Sequence, residues 1–458
     1  MTLHIYQARL LHYLVSDEAI NNGCNSSPYC LQLQQPLMPV NHGDTIAPEY
    51  IPKGALVIDD KSGVIIDYGA SHEILDKYQN VEVHDYGDKL IMPGFIDTHV
   101  HYPQLDIIAA YGEQLLDWLN NYTFVAEVKY GNAEYSCAKA EFFLNQLFAN
   151  GTTSAMVFAT SHYCSANEFF KASSLLNSRM ICGNVLMDQN APNTLCVNAI
   201  QGIKDTQKLI DNWHNNGRQM VAITPRFAIT SSPEQLKLAG KLYLQNNGVY
   251  LQTHLAENQD EIAAVNEMYP QYQGYLDVYD QMGLLGRKTT LAHGIYLNES
   301  EYQRLQQTGT QISHCPTSNL FLGSGLFDLP KTLSFTGVSI ATDVGAETSL
   351  NLLSTLNEAY KIQQLQGNRL SAHQGLYQIT LGNAQSLCLE DKIGNFAKGS
   401  EADFVVIDPK ATPLLENRIS QTSTLEEALF ILMMLADDRV IEQTFIAGIS
   451  RYRIKRHN

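Results

Sequence analysis

Two histidines spaced two residues apart, His99 and His101, are the first sign of chemistry in this sequence. They end the run Met-Pro-Gly-Phe-Ile-Asp-Thr-His-Val-His at 92–101, which is strongly β-like in composition. A strand alternates its faces, so both imidazoles point the same way. With one neutral ring nitrogen each, they can hold two positions around a divalent metal if other ligands arrive from elsewhere in the chain.

Candidate partners of this pair stand at the ends of later β-like runs. They are Arg226, His254, His293 and Asp343. Taken singly, a histidine such as His254 or His293 is more often a hydrogen-bonded core residue than a ligand or a catalytic group. Their shared placement at strand ends favours the functional interpretation. Strand parity adds Asp97, which shares a face with His99 and is placed to orient it.

The elements that must position these residues alternate between β-like runs and helical periods. Eight runs qualify as strands: 94–101, 153–158, 180–187, 220–226, 249–254, 289–293, 311–314 and 338–343. Helical segments separate them, such as 233–245 with a capping serine before it, and 349–362. This alternation predicts an α/β fold with a closed (β/α)₈ barrel, in which the carboxyl ends of the strands converge on one face.

The remaining segments predict a smaller β unit built from both ends of the chain. Residues 54–69 have the pattern of a hairpin, and 399–408 and 440–448 supply further short strands. We therefore expect a small β-sandwich domain from residues 1–90 and 391–458, with the barrel at 91–390. A polar stretch near residues 18–50 is typical of a surface loop.

Composition excludes several classes of partner. The chain has 458 residues, 45% hydrophobic and 17% charged, and a formal net charge of −17. Such a field repels nucleic acids and anionic membrane surfaces, so a small neutral substrate is the better partner. The chain begins without the pattern of a secretory leader, and no apolar run is long enough to span a membrane. These features predict a cytoplasmic protein.

The run at 93–101, followed in order by His254, His293 and Asp343, resembles the amidohydrolase superfamily. The blocks at 99–104, 115–124, 224–227, 253–257, 292–293, 313–320 and 342–345 resemble the branch of that superfamily that deaminates guanine. The resemblance extends over most of the chain, and the polar stretch near 18–50 is the part that it does not include. It implies a metal-dependent hydrolase on a TIM-like barrel.

The resemblance also implies a role for each candidate site residue. The ligands of one zinc ion per subunit would be His99, His101, His254 and Asp343. Iron is the alternative metal, because imidazole and carboxylate ligands suit it too. Glu257 would carry protons to the substrate, Asp343 would accept one from water, and His293 would stabilise the intermediate by hydrogen bonding. On the residue pattern alone, Glu257 reads instead as a solvated acid at a helix start.

Substrate contacts follow from the same resemblance. The residues implied are His101, Gln104, Arg226, Phe227, His254 and Asp343. Gln104 offers a donor and an acceptor, and Arg226 offers a planar set of donors for a carbonyl or ring nitrogen. Without a metal site nearby, Gln104 would be interpreted as a helix cap, Arg226 as part of a structural ion pair and Phe227 as a core residue.

The reaction implied is hydrolysis of guanine with water to xanthine and ammonia in purine catabolism, by a homodimer. Two alternatives stay open from the sequence. One is a related deaminase for another aminated heterocycle, such as a pterin, a triazine or an adenine derivative. The other is a noncatalytic scaffold, which the presence of the whole set from His99 to Asp343 disfavours.

Overall fold

The computed structural model describes residues 2–15, 27–111 and 114–455. The expected polar loop lies partly outside these ranges, since residues 18–26 are not described. Between 27 and 45 the described chain forms an isolated bridge, from Cys30 to Glu49, and no longer strand. From Ile46 onward the chain is already part of a strand, so residues 46–50 of the predicted loop are strand instead.

The described residues form sixteen strands, numbered here in chain order. They are β1 (Leu3–Val15), β2 (Ile46–Asp59), β3 (Val64–Ala70), β4 (Glu82–Pro93), β5 (Phe95–His101), β6 (Thr152–Phe158), β7 (Arg179–Gly183), β8 (Val185–Leu186), β9 (Gln219–Pro225), β10 (Tyr250–Leu255), β11 (Thr289–His293), β12 (Gln311–His314), β13 (Val338–Ile340), β14 (Phe404–Ile407), β15 (Ile441–Ile446) and β16 (Ile449–Arg453).

The barrel is a parallel sheet in the order β13-β12-β11-β10-β9-β7-β6-β5, with β8 paired to β9. The sheet is nearly closed, because the chain after β13 reaches β5. The backbone N–H of Asp343 donates to the His99 carbonyl at 2.9 Å, and His101 N–H donates to the Val344 carbonyl at 2.8 Å. All eight predicted runs are strands of this barrel, with 180–187 divided between β7 and β8. The predicted fold class is confirmed.

Helices return the chain between the barrel strands, and most begin at a side-chain cap. The longer ones are Ala133–Ala149, Tyr163–Leu176, Ala199–Trp213, Pro233–Gln245, Gln259–Met268, Glu299–Thr308 and Leu352–Leu365, with Leu425–Leu435 after the barrel. The Ser232 hydroxyl accepts from Gln235 N–H, as the sequence predicts, and Asn351 caps the helix that follows β13. Shorter helices are Ser71–Lys77, Leu115–Trp118, Phe124–Glu127, Tyr275–Gln281, Pro316–Phe321, Leu329–Leu333, Ala372–Tyr377, Asn383–Ser386 and Pro413–Ile419.

A second sheet takes strands from both ends of the chain, in the order β16-β15-β14-β4-β1-β2-β3. The predicted hairpin is the antiparallel pair β2 and β3. Gly94 separates the two sheets: β4 ends at Pro93, β5 begins at Phe95, and a Cβ at Gly94 would collide with the Thr153 side chain. The domain limits 1–90, 91–390 and 391–458 stay predictions.

Across the described ranges, no helix combines the length and the apolar character needed to cross a membrane.

A buried ion-pair network joins the second sheet to the amino-terminal end of the barrel. Arg218, just before β9, donates to Glu401 and Asp403, and its Nη1 also donates to the Asn177 carbonyl at 2.7 Å. Arg179, at the start of β7, donates from Nε to Glu401 at 2.6 Å. Because burial raises the pKa of Asp403 and Arg218 opposes that effect, the carboxylate depends on the guanidinium to stay ionised.

We expect Arg218→Met to destabilise the fold by about 3–5 kcal/mol, because it leaves a buried carboxylate without its partner. Thermal unfolding measures the loss. Arg439→Met is the control, since the Arg439–Asp437 pair is exposed and contributes about 0–1 kcal/mol. Equal melting temperatures for the two variants would contradict the role assigned to the network.

Candidate active site

The His-x-His pair lies at the carboxyl end of β5, as strand parity predicts. His99 and His101 are 1% and 2% exposed, so neither imidazole is available to bulk water. The third histidine, His254, lies near the carboxyl end of β10 and lines the pocket. Its Nδ1 lies 2.7 Å from the Arg226 carbonyl. A carbonyl only accepts, so Nδ1 carries the proton and the Nε2 lone pair is left facing His101 Nε2, 3.3 Å away.

Asp343 follows the short strand β13 and brings a carboxylate to these rings. Its Oδ1 lies 3.1 Å from His99 Nε2 and 3.3 Å from His101 Nε2. Asp343 has φ 62°, a left-handed conformation that is uncommon for aspartate, and His293 at the end of β11 has φ 71°. Such strained residues concentrate at functional sites, where the surrounding structure holds them.

The four predicted ligands form a group that fits a metal ion. One donor atom each from His99, His101, His254 and Asp343 lies within 4.8 Å of the others. Burial lowers the pKa of His101 to about 3 and that of His254 well below its usual range, so both rings are neutral, the state that binds metal. His99 Nε2 is buried without a hydrogen-bond partner. The donor set therefore suits a divalent ion.

An overlapping group replaces two of these ligands with His293 and Cys315. Burial raises the pKa of the Cys315 thiol well above its usual range, and nearby carboxylates raise it further. A thiol, unlike a thiolate, is a poor ligand for a metal. The set with three histidines and Asp343 is therefore the better metal site.

Asp97 acts on the backbone around the site rather than on the His99 ring. Its carboxylate accepts from His99 N–H at 3.3 Å, from Thr342 N–H at 3.1 Å and from the Thr342 hydroxyl at 2.5 Å. These bonds connect β5 to the residue before Asp343. The sequence correctly placed Asp97 beside the site, but the contact that orients His99 is to its main chain.

Glu257 is buried beside the donor cluster, which excludes the reading of a solvated acid at a helix start. The helix begins two residues later, at Gln259. Ser324 donates to Glu257 Oε1 at 2.8 Å, and Glu257 Oε2 lies 3.4 Å from His293 Nε2. Burial and the nearby Asp343 carboxylate raise the pKa of Glu257 to about 8, so it is largely protonated at neutral pH.

Two residues that the sequence did not single out, Glu261 and Asn319, position Glu257 and His293. The Glu261 carboxylate accepts from Glu257 N–H at 2.8 Å, which fixes the turn between β10 and the following helix. Asn319 Oδ1 accepts from His293 Nδ1 at 2.9 Å and leaves Nε2 facing Asp343 Oδ2, 3.6 Å away. Asn319 belongs to the block at 313–320, of which Ser318 also lines the pocket.

Arg226 and Gln104 also line the pocket, and both contact a buried acid absent from the sequence prediction, Glu127. Arg226 Nη1 donates to Glu127 Oε1 at 2.8 Å, and Gln104 Nε2 donates to the same oxygen at 3.5 Å. Gln104 Oε1 accepts from Gly345 N–H at 3.2 Å. The structural reading of Arg226 as an ion pair is thus correct, and the residue still lines the pocket. A buried arginine requires an acidic partner, but sequence alone does not say which.

Arg226 and Gln104 line the same pocket as Glu257 and three members of the donor cluster, His101, His254 and Asp343. The walls of this pocket are partly apolar and include Phe227, whose ring centroid lies 6.4 Å from that of His254. The lining residues are His101, Gln104, Leu115, Trp118, Leu119, Arg226, Phe227, His254, Glu257, Glu261, His293, Ser318, Leu322, Asp343 and Ala346. A pocket that combines apolar walls with convergent polar groups is typical of small-molecule sites.

Comparison with known proteins agrees with this geometry. Residues 90–450 match the model of the Amidohydrolase family, so the chain belongs to that family. It is a hydrolytic enzyme on a TIM-barrel scaffold, and the family depends on a metal ion.

The particular relatives within that family are guanine deaminases. The chain is 49% identical to guanine deaminase of Escherichia coli (strain K12) over 87% of this chain and 91% of that one. It is 31% identical to guanine deaminase of Mus musculus over 79% and 82% of the two chains. The solved structure of the E. coli protein superposes with a TM-score of 0.90 at 44% identity, covering 99% and 100%. A guanine deaminase from C. acetobutylicum, solved with bound guanine in its active site, gives a TM-score of 0.83 at 27% identity over 98% and 100%.

We expect His99→Gln to lose one bound metal ion per chain and to lower activity by at least about 100-fold, because a metal contributes several kcal/mol at the reacting centre. Metal content by mass spectrometry measures the first effect. The control is His72→Gln, on the exposed face of the helix Ser71–Lys77. Undiminished metal content in His99→Gln would remove His99 from the ligand set.

Proposed function

We propose that this protein catalyses the hydrolytic deamination of guanine to xanthine and ammonia, with one zinc ion bound by His99, His101, His254 and Asp343. The observation that carries the proposal is one pocket lined by members of the donor cluster, by the protonated acid Glu257 and by Arg226. The guanine deaminases among the relatives support guanine as the substrate.

Zinc suits this donor set, since three neutral imidazoles and one carboxylate are among its common ligands. When bound, zinc lowers the pKa of a coordinated water to about 7 and so supplies a nucleophile at neutral pH. Asp343 has a second carboxylate oxygen directed at His293, so it is placed to take the proton that water gives up.

Glu257 provides the acid that the reaction needs. Addition of water at C2 of guanine is easier when the adjacent ring nitrogen gains a proton, and the amine leaves only once it is protonated. The raised pKa of Glu257 keeps the proton available at neutral pH. Glu257 gives its proton to the ring nitrogen as water adds, and Asp343 takes the first proton of that water. The Glu257 carboxylate then moves the remaining proton of the added oxygen to the amine, so that the C2–N bond breaks, the C2 carbonyl forms and ammonia departs. Return of the proton from Asp343 to Glu257 restores the acid. His293, 3.4 Å from Glu257, is placed to hold the attacking oxygen by a hydrogen bond.

Arg226 and Gln104 recognise the far edge of the purine. Guanine presents its carbonyl oxygen and N7 as acceptors, and a guanidinium offers several N–H donors in one plane. Glu127 occupies one end of the Arg226 fork and fixes its plane. Phe227, buried in the pocket wall, packs against the base. His101, His254 and Asp343 line the same pocket and contact the reacting end of the substrate.

The experiment that tests the function is to incubate zinc-loaded protein with guanine and to follow xanthine and ammonia together. Equal amounts of both products, lost after metal removal, support the proposal. A panel with a pterin, a triazine and an adenine derivative runs alongside. Turnover of one of these compounds without turnover of guanine would overturn the substrate and leave a related deaminase.

The wider setting of the reaction also belongs to this proposal. A homodimer in the cytoplasm that acts in purine catabolism is what the family resemblance implies. Light scattering on the purified protein measures the molar mass, and a value of one chain would contradict the dimer.

We expect Glu257→Gln to lower kcat by about 10²–10⁴-fold, because an amide cannot carry a proton between water and the amine. Zinc content should stay at the wild-type level, since Glu257 is not in the ligand group. Glu267→Gln, exposed on the helix that follows β10, is the matched control. A simultaneous loss of zinc would show instead that Glu257 supports the metal site.

We expect kcat/KM to fall as the pH rises through a value at or below about 8. The sign follows from burial, which raises the pKa of Glu257 above its usual range, so that the required proton is present below that pKa and lost above it. A cation bound at Asp343 cancels the repulsion that helps to raise the pKa of Glu257. The pH at which kcat/KM falls then lies below 8. The residual activity of Glu257→Gln, measured over the same pH range, should not show this fall. A fall that persists in the variant would mean that another group titrates.

We expect Glu127→Gln to raise KM for guanine by about tenfold, equivalent to about 1.4 kcal/mol, with a smaller change in kcat. The reason is that Arg226 loses its charged partner and the fixed plane of its guanidinium. Glu134→Gln, exposed at the start of the next helix, is the control. A fall in kcat at unchanged KM would contradict a role in substrate recognition.

A further inference from the structure

A second cluster of metal-type donors lies on the outer sheet, away from the barrel pocket. Strands β1 and β4 pair in parallel with His4 opposite Glu82 and Tyr6 opposite His84. Because side chains alternate along a strand, His4, Glu82 and His84 stand on the same face of the sheet. Two imidazoles and a carboxylate are therefore neighbours by register, although 78 or more residues of sequence separate His4 from the other two.

The donor atoms of this cluster have the separations of ligands around one ion. His4 Nδ1 lies 3.3 Å from His84 Nε2 and 3.4 Å from Glu82 Oε2, and His84 Nε2 lies 3.8 Å from Glu82 Oε1. Two ligands of a tetrahedral zinc ion with bonds of about 2.1 Å lie about 3.4 Å apart. The two histidines contact different oxygens of Glu82, and one donor atom from each of the three residues lies within 4.8 Å of the others.

Neighbouring groups hold both rings in this orientation. His4 Nε2 lies 3.6 Å from Asp60 Oδ2, so the nitrogen that faces away from the cluster has a carboxylate partner. A carboxylate on the outer nitrogen is a common support for a ligating histidine. The Tyr6 ring stacks on His84 with a centroid distance of 4.8 Å and an angle of 20°, and Tyr86 stacks on Tyr6.

The charges around the cluster favour a cation without requiring a protonated histidine. Glu82 and Asp60 supply two negative charges, and the nearby Lys89 pairs with Glu442 at 3.0 Å. Burial lowers the pKa of His84, and His4 and Arg453 lower it further against the opposing effect of Glu82.

We propose that His4, His84 and Glu82 bind a second divalent transition-metal ion, of which zinc is the best match to two imidazoles and a carboxylate. Glu82 is more than half exposed, so solvent can complete the coordination. The ion connects the amino-terminal strand β1 to β4 and stabilises the sheet that both ends of the chain build. This role is separate from the barrel site and does not depend on the proposed reaction.

The test counts zinc in the full-length protein after chelation, exchange into zinc and removal of free ion. We expect two zinc ions per chain in the wild type, one in His84→Gln and one in His4→Gln, with His72→Gln as the matched control at two. His99→Gln should also hold one, because it empties the barrel site. Combining His99→Gln with His84→Gln should abolish tight binding.

A second measurement separates the two sites. Zinc should raise the melting temperature of His99→Gln, through the outer site alone, and this rise should vanish in the double variant. Guanine turnover of His84→Gln should equal that of the wild type, because its site lies on the outer sheet. One zinc ion per chain in the wild type would overturn the proposal. So would two in His84→Gln, since the simple hydrogen bond between the two rings would then explain the geometry.

Discussion

Closure of the barrel between its last strand and its first is the contact on which the site depends. Asp343 donates its N–H to the His99 carbonyl at 2.9 Å, and His101 donates to the Val344 carbonyl at 2.8 Å. The same hydrogen bonds that complete the sheet therefore bring the carboxylate to the His-x-His pair. A shift of one residue in this register would turn the donors of one strand to the opposite face. The fold and the donor set are specified by the same pairing.

The site concentrates features that cost stability. His293 and Asp343 have left-handed backbone conformations, two of the clustered imidazoles are held neutral by burial, and Glu257 is a carboxyl without a cationic side-chain partner among its described hydrogen bonds. Each of these would be unfavourable in an ordinary core. The ion pairs of Arg218 at the other end of the barrel increase stability instead, because they hold the second sheet against the barrel strands. A cation among the ligands would offset part of the cost at the carboxyl end.

Sequence analysis located the barrel strands and the residues at their ends because both follow from local patterns. Strand parity placed His99 and His101 on one face, and the order of strand ends brought His254 and Asp343 to them. Glu127 was not predicted. Its pairing with Arg226 joins a helix before β6 to the end of β9, and no local sequence pattern indicates such a contact. The burial of Glu257 was not predicted for a similar reason, since it results from contacts with side chains of a later loop, such as Ser324. The sequence resemblance assigned Glu257 its role but not its environment.

Two buried acids, Glu257 in the pocket and Glu127 behind Arg226, illustrate how environment divides the chemistry. Glu127 lies 2.8 Å from the Arg226 guanidinium, so its charge is matched and it serves as an anchor for a recognition group. Glu257 lies buried beside Ser324, His293 and the Asp343 carboxylate. Burial and the Asp343 charge raise its pKa, which keeps a proton on it. Exchange of these surroundings would exchange the roles, because an acid paired to arginine has no proton to give and a protonated acid holds arginine weakly. The distribution of charge around the pocket, more than the identity of the two glutamates, therefore decides which edge of the substrate is held and which is protonated.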